Sequence, residues 1–106
     1  MNTIMKLIPI NEINDEQEFW RGTRFRIYNV GLNVKDKKDD YYEYMLAQIP
    51  NDKEHFLLTN IVGYKSGAAL GLVKISDDQN KIVVTAKEIK FFMGIEDVYF
   101  LKDEFS

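Results

Sequence analysis

The stretch from Leu57 to Leu70 reads L-L-T-N-I-V-G-Y-K-S-G-A-A-L and sets a glycine-framed turn between two apolar runs. Gly63 and Gly67 bracket Tyr64, Lys65 and Ser66, so the backbone can take positive φ at either end of the turn. The two runs are thereby directed into an antiparallel hairpin, with Tyr64 and Lys65 projecting from its tip.

The segments on either side carry compatible patterns. Thr3 to Ile8 is rich in Ile, Leu and Met and stops at Pro9, as expected of a short strand that could lie at a sheet edge. Asn14 or Asp15 can cap a helix running to about Arg21, with acids in its first turn, Phe19 and Trp20 on its apolar side and Gly22 past its end. From Arg24 to Val34 the period changes to two, Phe25 and Ile27 facing one way and Arg24, Arg26 and Tyr28 the other. Lys35 to Asp40 is a mixed-charge run read as a solvated turn. Asp40 to Ile49 alternates again, with Tyr42, Tyr44 and Leu46 on one face and Tyr41, Met45 and Ala47 on the other.

The strand from Glu54 to Val62 holds the continuous apolar run Phe56-Leu57-Leu58, the pattern of a strand covered on both faces and placed at the sheet centre. In its hairpin partner, Ala68 to Ile75, the small residues Ala68, Ala69 and Gly71 leave room for a helix or another backbone to approach. After a turn at Asp77 to Asn80, a β-type run from Lys81 to Val84 leads into Thr85-Ala86-Lys87-Glu88. That spacing predicts a capping box and a short helix to Met93 closed by Gly94, with Ile89, Phe92 and Met93 on one face. Val98 to Leu101 supplies another strand. The expected architecture is α+β: one domain over residues 1–106, a mostly antiparallel sheet of five or six strands, and two short helices packed on it.

A chain of 106 residues can bury about two-thirds of its unfolded surface, enough for one core without covalent staples. There is no cysteine, which removes disulfides, thiolate metal sites and thiol nucleophiles together. No segment approaches the roughly 20 apolar residues that cross a bilayer, and Pro9 interrupts the first apolar run, so a cytoplasmic chain without membrane contact is expected. Fourteen basic against seventeen acidic residues give a net charge of −3. This disfavours direct nucleic-acid binding, which depends on accumulated Lys and Arg.

Catalytic and metal chemistry find little to build on. The single histidine, His55, shares a strand face with Thr59, but strand rise separates the two by roughly 13 Å. The carboxylates come as adjacent pairs, Asp39-Asp40, Asp77-Asp78, Glu96-Asp97 and Asp103-Glu104, and not in the alternating pattern of a calcium loop. G-Y-K-S-G lacks the length and setting of a phosphate loop. No catalytic, cofactor-binding or metal residue is therefore expected.

Partner-binding residues are better represented. Acids gather at Glu12, Asp15, Glu16 and Glu18 and again at Glu96, Asp97, Asp103 and Glu104; in the first group they also suit a helix N-terminus. Tyrosines at 41, 42, 44, 64 and 99 offer contact area at low entropic cost, although tyrosines also pack half-buried. The candidate contact set is Asp15, Glu16, Glu18, Tyr42, Tyr44, Tyr64, Lys65, Glu96 and Asp97.

The words L-x-N-I-x-G-Y-K-S-G after a strand, with Phe19-Trp20-Arg21-Gly22 and the strand Arg24 to Tyr28, resemble small bacterial immunity proteins of polymorphic or contact-dependent inhibition systems. The resemblance spans roughly Phe19 to Leu101. It implies a non-enzymatic inhibitor whose partner is a cognate toxin domain covered at its active site or substrate groove; a monomer is favoured, with the oligomeric state left open. An acidic inhibitor would suit a nuclease with a basic cleft. The alternative is a structural or adaptor module that self-associates through a sheet edge, the first strand being the candidate.

Overall fold

The period-two segments become neighbouring strands in a computed structural model, which describes residues 5–28, 41–62, 69–76 and 81–103. The elements are β1 (Met5–Pro9), a 3-10 turn (Ile10–Glu12), β2 (Glu18–Phe19), β3 (Arg24–Tyr28), β4 (Tyr41–Gln48), β5 (His55–Val62), β6 (Ala69–Lys74), β7 (Val84–Thr85), α1 (Ala86–Met93) and β8 (Val98–Asp103). Six strands form one antiparallel sheet in the order β1-β8-β3-β4-β5-β6, and β2 pairs with β7 in a second, two-stranded sheet. The class is α+β with a mostly antiparallel sheet, as expected.

Alternation decides which face meets the core. Phe25, Tyr42, Tyr44, Leu46, Phe56, Leu58, Val73 and Val98 are buried and pack with Ile10, Phe19, Val84, Ala86 and Ile89 from the elements laid over the sheet. Phe19 meets Phe25 edge-on at 5.2 Å, a geometry that aligns ring edges with ring faces, and Phe100 with rings tilted at 4.9 Å. The opposite face of the sheet carries Arg24, Arg26 and Tyr28 of β3 beside Met45, Glu43 and Tyr41 of β4.

Three expectations are corrected. The helix expected from Asn14 to Arg21 is a turn followed by β2. Asn14 spends its side chain on the Glu16 N–H, 2.8 Å, its carbonyl takes the Gln17 N–H, and the chain then extends to pair with β7. Extension sends alternate residues to opposite sides, so Phe19 is buried while Trp20 is exposed. Among the described residues one α-helix remains, not two. Second, β5 is not the sheet centre: β6 lies outside it, and β3 and β4 are the middle pair. Its burial accordingly alternates, with Phe56, Leu58 and Asn60 inside and Leu57 only half-buried.

Third, the capping box does not close. Thr85 occupies the N-cap of α1 but makes no side-chain cap bond. The first helical amides are satisfied by chain distant in sequence: Ala86 N–H donates to the Gln17 carbonyl at 2.8 Å and Lys87 N–H to the Asp15 carbonyl at 3.0 Å. Gly94, at φ +82°, ends the helix and donates its N–H to the Lys90 carbonyl. The room expected at Gly71 is used. A Cβ there would lie 2.5 Å from Phe92 Cζ, so the absent side chain is what lets α1 settle on β6. Strand β1 does lie at a sheet edge, paired among the described residues with β8 alone. The turns expected at Lys35 to Asp40 and Asp77 to Asn80, the hairpin tip Gly63 to Gly67, and Gly31 lie outside the described residues.

Candidate partner-binding surface

Of the residues expected to contact a partner, Tyr42 and Tyr44 are withdrawn by burial. Each is 8 % exposed, with the two rings 6.4 Å apart in the core. The even positions of β4 point inward, and tyrosine content alone cannot tell which face a tyrosine takes. Burial pushes the Tyr44 phenol above its ordinary range, a rise that the adjacent Asn60 amide partly offsets. Asn60 itself is buried with neither amide atom in a hydrogen bond of normal geometry. Tyr64 and Lys65 lie outside the described residues.

The acids separate into two groups. Asp15 is exposed but bound: Lys90 Nζ lies 2.6 Å from its Oδ1 and also donates to the Ile13 carbonyl. That hydrogen bond and the Lys90 charge hold the Asp15 carboxyl below its usual range. Glu18 is paired with Lys81 at 3.2 Å. Both acids thus anchor structure, Asp15 tying the strip before β2 to α1 and Glu18 tying β2 to the approach to β7. Glu16 is exposed and makes no side-chain bond among the described residues. Glu96 and Asp97 form the turn between α1 and β8, beside an open groove of about 340 Å³ shared with Pro9, Asn11, Ile95 and Tyr99. Asp97 takes φ +60° and its carbonyl accepts the Tyr28 N–H at 2.9 Å, which fixes this acidic turn to β3. Of the expected acids, Glu16, Glu96 and Asp97 are exposed, while Asp15 and Glu18 are held by lysines.

What the sequence reading missed is Trp20. Trp20-Arg21-Gly22-Thr23 is a turn in which Thr23 N–H and Oγ1 both donate to the Trp20 carbonyl, at 3.1 and 2.7 Å. Gly22 supplies the φ of +88° that the third position of a type II turn requires. Gly22 N–H donates to the Leu46 carbonyl at 2.7 Å and Leu46 N–H to the Thr23 carbonyl at 2.9 Å, so the turn is stitched to β4. Trp20 is held there 58 % exposed, next to Ile82 at 53 %. Between them runs an open groove of about 380 Å³ floored by Phe56 and rimmed by Arg21, Gln48 and Lys81. Arg21 Nη1 donates to Gln48 Oε1 at 2.6 Å, a neutral partner that holds the guanidinium in place with its charge unspent. The pattern F-W-R-G held the signal: an inward Phe forces the next aromatic outward once the segment is extended.

A second polar cluster sits on the open sheet face. Arg26 donates from Nε and Nη2 to Glu43 Oε1, at 3.0 and 2.5 Å, and from Nη1 to the Tyr28 hydroxyl at 3.0 Å. Its Cζ lies 4.2 Å from the Tyr41 ring centroid, and Tyr99 meets Tyr28 edge-on. Burial works against the Arg26 charge, but the bonds to Tyr28 and Glu43 outweigh it and raise its pKa above the usual value. These side chains satisfy one another and brace β3, β4 and β8.

His55 Nδ1 lies 3.4 Å from Asp52 Oδ2, and Asp52 Oδ1 accepts the Glu54 and His55 amides. The Glu54 amide above all, with the His55 amide and ring, keeps the Asp52 carboxyl below its usual range. Among the described residues no three His, Asp or Glu side chains group as a metal site, and no helix is long and apolar enough to cross a membrane. Compared with known proteins, the chain matches no family model, no curated protein and no solved structure.

Proposed function

We propose that this chain is an immunity protein: it binds a cognate bacterial toxin domain and neutralises it by covering the active site or substrate groove. The observation that carries the reading is the Trp20 turn. Trp and Arg are the residue types that dominate binding energy at protein interfaces, and rigid presentation lowers the ordering cost of association. Here Trp20 and Arg21 stand exposed on a backbone fixed by four hydrogen bonds. The resemblance carried by F-W-R-G and the N-I-x-G-Y-K-S-G segment supplies the class of partner. A nuclease is the toxin that a net charge of −3 suits, since a basic cleft is approached faster by a negative surface.

The test is co-expression with the toxin domain encoded by the neighbouring upstream reading frame. Cells carrying the wild-type chain should survive, and Trp20→Ala should cost about 2 kcal/mol or more of binding, seen as lost protection at low expression. Survival unchanged by Trp20→Ala would move the interface elsewhere.

The adaptor reading also has an observation behind it. Edge strand β6 leaves Leu70 and Leu72 44 % and 49 % exposed, a surface that strand pairing between copies would cover. A concentration-independent monomer in gel filtration would rule it out.

A further inference from the structure

We infer that the groove beside Trp20 receives an apolar side chain flanked by carboxylates, presented by an acidic segment of the partner. This rests on the reading of the Trp20 turn as the toxin contact.

The groove has an apolar floor and walls in Phe56, Trp20 and Ile82, and its charged rim is cationic. Among the described residues Arg21 and Lys81 line it and no carboxylate does. Lys81 is already paired, its Nζ within 3.2 and 3.3 Å of the two Glu18 oxygens, and still keeps nearly half of its side chain exposed. Among the described residues Arg21 is engaged only with the neutral Gln48 amide, which leaves its remaining N–H donors for a carboxylate and presents them in the fork geometry that carboxylates accept. On a chain of net charge −3 this is a local reversal of sign. Long-range attraction is set by the whole chain, whereas contact selectivity is set by the groups at the rim. An anchor with a neighbouring acid fills the apolar floor and neutralises Arg21; an anchor flanked by lysines meets the like charge of Arg21.

Trp20 is the sole tryptophan, so fluorescence emission reads this groove alone. The full chain is titrated with three short capped peptides, Glu-Phe-Glu, Gln-Phe-Gln and Lys-Phe-Lys. Glu-Phe-Glu should shift the emission to the blue with a dissociation constant about tenfold below that of Gln-Phe-Gln, and Lys-Phe-Lys should leave it unmoved. Arg21→Gln, an exposed change that keeps the turn, should erase the difference between the acidic and neutral peptides, and Lys81→Gln should reduce it. A lysine peptide that binds as well as the acidic one, or emission that no peptide moves, overturns the inference. Failure of the immunity reading is scored separately: acidic-peptide binding by a chain that protects no cell would end that reading and leave the groove's preference standing.

Discussion

Replacing Glu43 with glutamine should destabilise the fold by about 2 kcal/mol. Arg26 and Glu43 face each other across β3 and β4, and their side chains are 22 % and 7 % exposed. Glutamine keeps the volume but removes the charge that two guanidinium donors share. Hydrogen bonds to charged groups contribute roughly 1.5–3 kcal/mol each and neutral ones about 1, so two weakened bonds set a loss of about 1–4 kcal/mol. Partial exposure of Arg26 lets water recover some of that, and its contacts with Tyr41 and Tyr28 survive, which places the value near the middle. For a domain of this size, 2 kcal/mol corresponds to a fall in Tm of about 8–16 °C. Urea unfolding followed by far-ultraviolet circular dichroism should show a lower midpoint at unchanged slope. The double-mutant cycle Glu43→Gln, Arg26→Gln should return a coupling of about 1–2 kcal/mol. A loss below about 0.5 kcal/mol, or strict additivity, would refute the claim that this pair braces the middle of the sheet. Replacing both by Leu and Met should be far milder than either single change, because no buried charge is left alone.

Gly71→Ala should cost about 1–2 kcal/mol by forcing Phe92 off the strand, and pairing it with Phe92→Leu should recover part of the loss in thermal melts. Thr85→Ala should cost less than about 0.5 kcal/mol, below the usual N-cap value near 1, because the Asp15 and Gln17 carbonyls already hold the helix amides; a full-sized loss would show that the hydroxyl caps after all. Asp15 and Asp52 both have folded pKa values below the ordinary carboxylate value of about 3.9. Their contribution is complete above that value and lost as pH falls through the lower folded one. Urea midpoints should therefore decline below about pH 4, and the double variant Asp15→Asn, Asp52→Asn should flatten that decline; a parallel profile would assign it to other groups.

Legibility followed locality. The alternation of Tyr42, Tyr44 and Leu46 with Tyr41, Met45 and Ala47 was legible because a strand's period is visible in its own residues, although which face turns inward was not, and Gly71 marks a close approach because a missing side chain does so whatever arrives. Acids at 15, 16 and 18 resemble a helix start, and only the distant Val84–Thr85 pairing shows why the segment extends instead. The same long-range contact hides the capping of α1, the pairing of Glu18 with Lys81 and the exposure of Trp20. Strand order is likewise absent from any single segment, which is why the apolar run of β5 read as a centre. The candidate site was half visible: F-W-R-G stood out as a motif, but which aromatic faced outward depended on a partner strand drawn from the far end of the chain.

Strand β8 fills the gap between β1 and β3, so a piece translated long after its neighbours becomes an interior member of the sheet. A nonsense codon or protease cut that removes Val98–Asp103 would not trim a margin. It would unzip two ladders at once, orphan β1 and strip the bonds from one whole flank of β3. Until β8 emerges from the ribosome, the growing polypeptide has no finished central layer on which to mount a binding surface.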